Sequence, residues 1–276
     1  MGKARRKLFC ELSPFTYNLS VLKCRTNRRV KDILKREPFA KEISASSLEV
    51  EVFVHASMIR RKLGGVDQTL QENKATNLKL STPKVSGILI KPGEVFSFWR
   101  LVGSCKAKDG YKDGLIISRG KTSKGIGGGM CQFSNLIHWL ILHSPLDIVE
   151  HHHHDALDLF PDFNRKIPFG TGTSIFYNYI DYRFKNNTDN TFQLVVYTDD
   201  EYLHGELRAE RDIDFRYEIV ADDEKFTRED DDVYRNGNVY REIYEKGTDK
   251  LIKRELIRVN HARVLYDTKD LEIINK

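Results

Sequence analysis

Three glycines in a row, Gly127 to Gly129, stand directly before Met130 and Cys131, and an apolar stretch follows at once: GIGGGMCQFSNLIHWLILHSP, residues 125 to 145. The stretch reads as a helix over 131–143, stopped before Pro145 because proline cannot continue it. A helix this apolar has to be enclosed. The rest of the chain must therefore supply the elements that enclose it.

Those elements are mostly strands. SLEVEVFVHASMI, residues 47–59, alternates Leu48, Val50, Val52 and Val54 with Glu49, Glu51, Phe53 and His55, the period of a half-buried strand. LQENKATNLKL reads as helical until Ser81–Thr82–Pro83 ends it. GILIKPGEVFSFWRLVG gives two strands about a Pro92–Gly93 turn, and two Asp–Gly steps bound a strand at Leu115 to Ser118. LDIVEHHHHDAL and TSIFYNYIDYRFKN each read as one strand, with NTFQLVVYTDD and YLHGELRAER as a further pair. Asp222 to Asp232 holds seven carboxylates and reads as a solvated loop or linker before a hairpin around Gly247. The expected fold is α+β: a central helix with the cysteine at its N-terminus, packed on antiparallel sheet, with a C-terminal β appendage. The expected division is a basic segment over 1–45, a main domain over 46–215, and an acidic linker with a small hairpin over 216–276.

Composition narrows the class. No run approaches the roughly 20 apolar residues of a membrane span, and His138 interrupts the best stretch, Leu136 to Leu142. A basic N-terminus without an apolar h-region points to a cytoplasmic protein. Cys10, Cys24, Cys105 and Cys131 are too few for a disulfide framework in 276 residues, so reduced thiols are expected. The formal charge of +5 is uneven: residues 1–40 carry eleven Lys/Arg against Glu11, Asp32 and Glu37, a local +8, leaving −3 for the remainder. Such an arm suits an anionic membrane surface as a peripheral contact, or is simply a solvated face. No nucleic-acid-binding motif accompanies it, so nucleic acid is not an expected partner.

The chemistry gathers at Cys131. A cysteine on the first helical turn feels the positive end of the macrodipole and unpaired N–H groups, both of which favour thiolate. The glycines let backbone N–H groups approach a substrate carbonyl, as an oxyanion hole requires. Glycine run, cysteine and helix together suit acyl transfer through a thioester, or equally a tight turn with a buried, inert cysteine. A base is needed. His138 stands two turns along the same face, about 10 Å away by helical rise, too far for direct proton transfer. EHHHHD at 150–155 is the better source: on a strand His152 and His154 share one face with Ile148, and His151 and His153 share the other with Val149. His152 and His154 with Glu150 or Asp155 also raise zinc, but no CxxC or HExxH accompanies them, and no metal or other cofactor is expected.

KPGEVFSFWRLVG, YKDGLIISRGK, GGGMCQFSN and IDYRFKNNTDNTFQL, in that order and spacing from about Asn73 to Arg208, resemble the VanW family. Its namesake belongs to B-type vancomycin-resistance clusters, and related domains in wall proteins are linked to L,D-transpeptidase activity. The resemblance implies that Cys131 is the nucleophile in acyl transfer on peptidoglycan stem peptides or wall precursor, with Gly128, Gly129 and Gln132 shaping the oxyanion pocket. It implies His154 as general base, with His152 second. Many members carry an Asp where this chain has Gly172; the task of orienting histidine or substrate then passes to Asp155 or Asp181, or is absent. Asp181, mid-strand in YIDYRFKN, reads first as structural. The alternative function is a non-catalytic module that binds wall precursor or glycopeptide antibiotic.

Overall fold

The computed structural model describes residues 7–60, 67–118, 121–153, 157–158, 161 and 167–275. Its elements run α1 (Pro14–Lys35), β1 (Val50–Met58), α2 (Gln68–Ser81), β2 (Ile88–Ile90), β3 (Val95–Ser97), α3 (Phe98–Val102), β4 (Asp113–Ser118), β5 (Lys121–Ile126) and α4 (Met130–Leu142). There follow β6 (Asp147–Glu150), β7 (Leu157–Asp158), β8 (Arg183–Lys185), β9 (Phe192–Thr198), β10 (Tyr202–Ala209), β11 (Phe215–Glu229), β12 (Asp232–Glu245), β13 (Leu251–Val264) and β14 (Ile273–Asn275). The fold is α+β with predominantly antiparallel sheets in the orders β1-β10-β9-β2, β14-β11-β12-β13-β7, β3-β8-β6 and β4-β5.

Helix α4 is the apolar centre. Phe133, Leu136, Ile137, Leu140, Ile141 and Leu142 are all buried, each contributing about 1.5–3 kcal/mol by leaving water. The helix lies on β1 and β10. It comes close because β10 places Gly205 under it: a Cβ there would stand 2.9 Å from Leu136 Cδ2 and 3.0 Å from Leu140 Cδ1. Phe96, Phe98, Tyr182 and Phe184 close the other side, with Phe98 edge-on to Phe133 at 5.3 Å.

Strand β1 forms where the alternation predicts it, but a bulge between Glu51 and Phe53 exchanges its faces. Beyond the bulge Phe53 and His55 turn toward α4, with Phe53 stacked on His143 at 3.7 Å, while Val54 is exposed. One extra residue reverses every later side chain.

Two long strands expected from the sequence are shorter. Residues 147–158 divide: β6 ends at Glu150, His151 to His153 lie outside any strand, and β7 joins a different sheet beside β13. In 173–186 only Arg183 to Lys185 form a strand, because the chain turns back on itself at 176–180, where Phe176 and Ile180 exchange backbone hydrogen bonds. The acidic stretch is not a linker. It runs through the β11–β12 hairpin, with Asp223 and Asp230 at positive φ in a bulge and a turn, and with Asp222 and Glu224 paired to Arg254 and Arg235. Aspartate tolerates that backbone region, and cations on neighbouring strands absorb the charge.

Residues 14–35 form the 22-residue helix α1, begun by Ser13, whose Oγ accepts from Thr16 N at 3.2 Å. The helix is held to the body by ion pairs. Arg28 meets Glu150 through two hydrogen bonds of 2.5 Å, and Asp32 takes a two-pronged contact from Arg183 at 2.7 and 2.9 Å.

Candidate active site at the head of the buried helix

The approach to α4 is built from backbone that tolerates no side chain. Gly128 lies against Gly114 of β4, and Asn77 of α2 clamps both strands of the approach by donating to Gly128 O and Lys112 O at 2.9 Å each. Gly129 caps the helix at φ +107°, a conformation reserved in practice for glycine. Its neighbours consume two of the glycine amides: Gly127 N donates to Lys112 O, and Gly128 N to Gly125 O. The N–H groups of Gly129, Met130 and Cys131 have no acceptor among the described residues, as the first helical turn dictates.

Cys131 is the second residue of the helix, half-buried against the core. Burial pushes its thiol above the ordinary value, and the Ile175 backbone beside it pulls only part of the way back. Burial thus opposes the thiolate that a helix terminus favours. Beside the cysteine runs the segment 172–176. Thr173 donates to Asn135 Oδ1 from its backbone and its hydroxyl, at 2.6 and 2.9 Å, and also bonds Ser134 Oγ. Ser134 Oγ in turn donates to Cys131 O at 3.1 Å. Gly172 thus lies over the second turn of α4 rather than at its head.

Among the described residues the histidines do not gather around the thiol. His152 points the other way, its Nε2 3.0 Å from Glu150 Oε1, while its carbonyl accepts from Ser174 N. His151 bonds Gly172 O through Nε2 at 3.2 Å and lies 4.2 Å from the His138 ring, with His153 a further 4.1 Å on. His138 is fully buried, its Nδ1 3.1 Å from the Tyr182 hydroxyl and its Nε2 without a partner among the described residues. Burial lowers the His138 pKa well below the usual value and that of His151 to about 3, so both are neutral near pH 7. His154 and Asp155 lie outside the described residues. Spacing along the chain does not reveal this column of rings; its one sequence signal is a histidine inside an apolar helix.

Gln132 and Asp181 hold the fold. Gln132 Nε2 donates to Ser57 Oγ and Met58 O at 2.9 Å each, tying the head of α4 to the end of β1. Asp181 is buried and both oxygens are engaged: Oδ1 accepts from Trp99 N and Tyr182 N, Oδ2 from Ser97 Oγ and Arg183 Nε. With Arg183, Asp32, Glu150 and Arg28 it forms one ionic network linking α1 to the segment around the histidines. Among the described residues no group of three or more His, Cys, Asp or Glu is placed to hold a metal ion.

The family model described as VanW like protein matches residues 73–208, from within α2 to the end of β10, so it includes the whole site and leaves α1 outside. The chain is 36% identical over 228 residues to the vancomycin B-type resistance protein VanW of Enterococcus faecalis, covering 83% of this chain and 82% of that protein. It is 30% identical over 118 residues to YoaR of Bacillus subtilis, a protein described as uncharacterized, covering 42% of this chain and 36% of that protein. No solved structure matches significantly.

Proposed function

The chain belongs to the VanW family, and from that premise we propose that it handles cell-wall stem peptides in resistance to vancomycin-type glycopeptides, by acyl transfer at Cys131. The observation that carries this reading is the set of three unshared amides, Gly129, Met130 and Cys131, beside the thiol. Such donors fit the oxygen of a tetrahedral intermediate, and one oxyanion donor is worth about 10²–10³ in rate. Sulfur attacks the carbonyl of a stem-peptide amide and the C–S bond forms as the carbonyl electrons move to oxygen. Collapse breaks the C–N bond and the amine leaves with a proton. An acceptor amine then takes the acyl group and frees the thiol.

Because burial keeps the thiol protonated, a base must take its proton as the bond forms. His154 is assigned that role from the family pattern, ahead of His152, whose ring is occupied by Glu150. Gly128 contributes by shaping the turn. The test is turnover of a disaccharide-tetrapeptide by wild type, Cys131→Ser and Cys131→Ala. Loss of product in both variants, at unchanged melting temperature, supports the reading; product formed by Cys131→Ala rejects it.

A second reading is favoured by the enclosed thiol and by the lack of any described imidazole bonded to it. In that reading the domain binds wall precursor or glycopeptide without chemistry. Wild type and Cys131→Ser would then bind the stem peptide equally and neither would turn it over.

A further inference from the structure

Helix α1 buries none of its apolar side chains, an unusual state for a helix carrying so many of them. Its inner row is Val21, Arg25, Arg28 and Asp32, at the spacing of one helical face, and it attaches through charge rather than apolar packing. Roughly a third of a turn away lies a second row, Phe15, Leu19, Leu22, Val30 and Ile33, at the same kind of spacing and facing solvent. Phe15 is 74% exposed, Leu22 60% and Ile33 73%. The short turn before the helix, Phe9–Glu11, folds alongside it and leaves Leu8, Phe9 and Leu12 exposed as well. By helical geometry Arg29 borders one edge of the stripe and Lys23 the other, and Arg36 follows as the left-handed cap of the helix; all three are exposed, and among the described residues none makes an ion pair. The one acidic residue of the helix, Asp32, is already committed to Arg183.

We propose that α1 is an interfacial helix that docks this protein on an anionic lipid surface, its Phe15–Ile33 stripe entering the headgroup boundary and its flanking cations meeting lipid phosphates. A strong apolar face bordered by Lys and Arg, on a helix of low overall hydrophobicity, is the pattern of a helix lying in a membrane plane. Among the described residues no helix is long and apolar enough to cross a membrane, so the contact is peripheral. A second copy of the chain is the less suitable occupant, because it would bring two sets of like charges together. The docking is independent of Cys131 chemistry and stands or falls apart from it.

The full-length protein is sedimented with vesicles of phosphatidylcholine alone and of phosphatidylcholine with phosphatidylglycerol. Binding is expected only with phosphatidylglycerol present, weakened at high salt. Phe15→Glu and Ile33→Glu should each weaken it about tenfold or more at unchanged melting temperature. Replacing Lys23, Arg29 and Arg36 together by Gln should also weaken it, while Cys131→Ser should bind as wild type does. Absent binding, equal binding to neutral vesicles, or a solution dimer abolished by Ile33→Glu overturns the proposal.

Discussion

Gly128 rests directly on the backbone of Gly114: a Cβ added to Gly128 would lie 2.3 Å from the Gly114 carbonyl carbon, and one added to Gly114 would lie 2.9 Å from Gly128 Cα. The clash is with main chain on both sides, so no side-chain rotation relieves it. Gly128→Ala is therefore expected to cost at least the ~1–3 kcal/mol of an overpacked site and to displace the head of α4. Chemical denaturation measures the cost, and the protection from hydrogen exchange of the Gln132 and Phe133 amides, which donate to Gly129 O, reports the displacement.

The ionic network makes a second prediction. Arg183 and Asp32 are both less than a tenth exposed, and removing one partner leaves the other charge buried. Arg183→Met is expected to lose about 3–5 kcal/mol, because Asp181 loses its guanidinium partner and Asp32 keeps only the longer 3.8 Å pair with Arg100. Asp32→Asn should cost less and should loosen α1, seen as faster proteolysis between α1 and β1.

Much of this arrangement was legible in the sequence and some was not. The central helix, its start at the glycine run and the β-rich surround follow from local pattern, and the VanW blocks mark the family. The faces of β1 were not legible, because the bulge after Glu51 depends on pairing with β10. Nor was the ionic network, whose members Arg28, Asp32, Glu150, Asp181 and Arg183 come from three separated stretches of the chain. The thiol shows the same limit. The first helical turn argues for thiolate, but burial pushes the thiol the other way, and spacing along the chain does not show that burial.

The neutral histidines predict a pH dependence. Burial lowers His138 well below its usual pKa, His143 to about 4 and His151 to about 3. The unfolded chain binds protons at these sites below pH about 6.5 and the folded chain does not. Their contribution is complete above pH 6.5 and is lost as pH falls toward the folded values, by about 1.4 kcal/mol per pH unit for each histidine. Urea unfolding from pH 7 to pH 4.5 should show this slope, and His151→Phe should reduce it by about one proton.

Glu150 titrates lower. Burial raises its pKa, but the Arg28 pair, the Asp181 N–H and His152 together hold it below the carboxylate value of 4.5. Its stabilising contribution is present above pH about 4.5 and is lost as pH falls through the depressed folded value. Replacing Glu150 by Gln should remove this acid-range loss while lowering stability at pH 7.

Thiol reactivity separates the cysteines. Cys24 is exposed, whereas burial pushes Cys131 up and Cys105 to about 11. Iodoacetamide at pH 7.5 should label Cys24 first and both enclosed thiols slowly, with Cys131 accelerating as pH is raised. Peptide mapping by mass spectrometry reads the order.

The central claim, that Cys131 carries an acyl group, is tested most directly by intact-mass spectrometry of the protein incubated with disaccharide-tetrapeptide. A covalent adduct on wild type, mapped to Cys131 and lost in Cys131→Ser, is the predicted result. No adduct and no product, from folded protein whose Cys131→Ser variant binds the same stem peptide equally well, would contradict it.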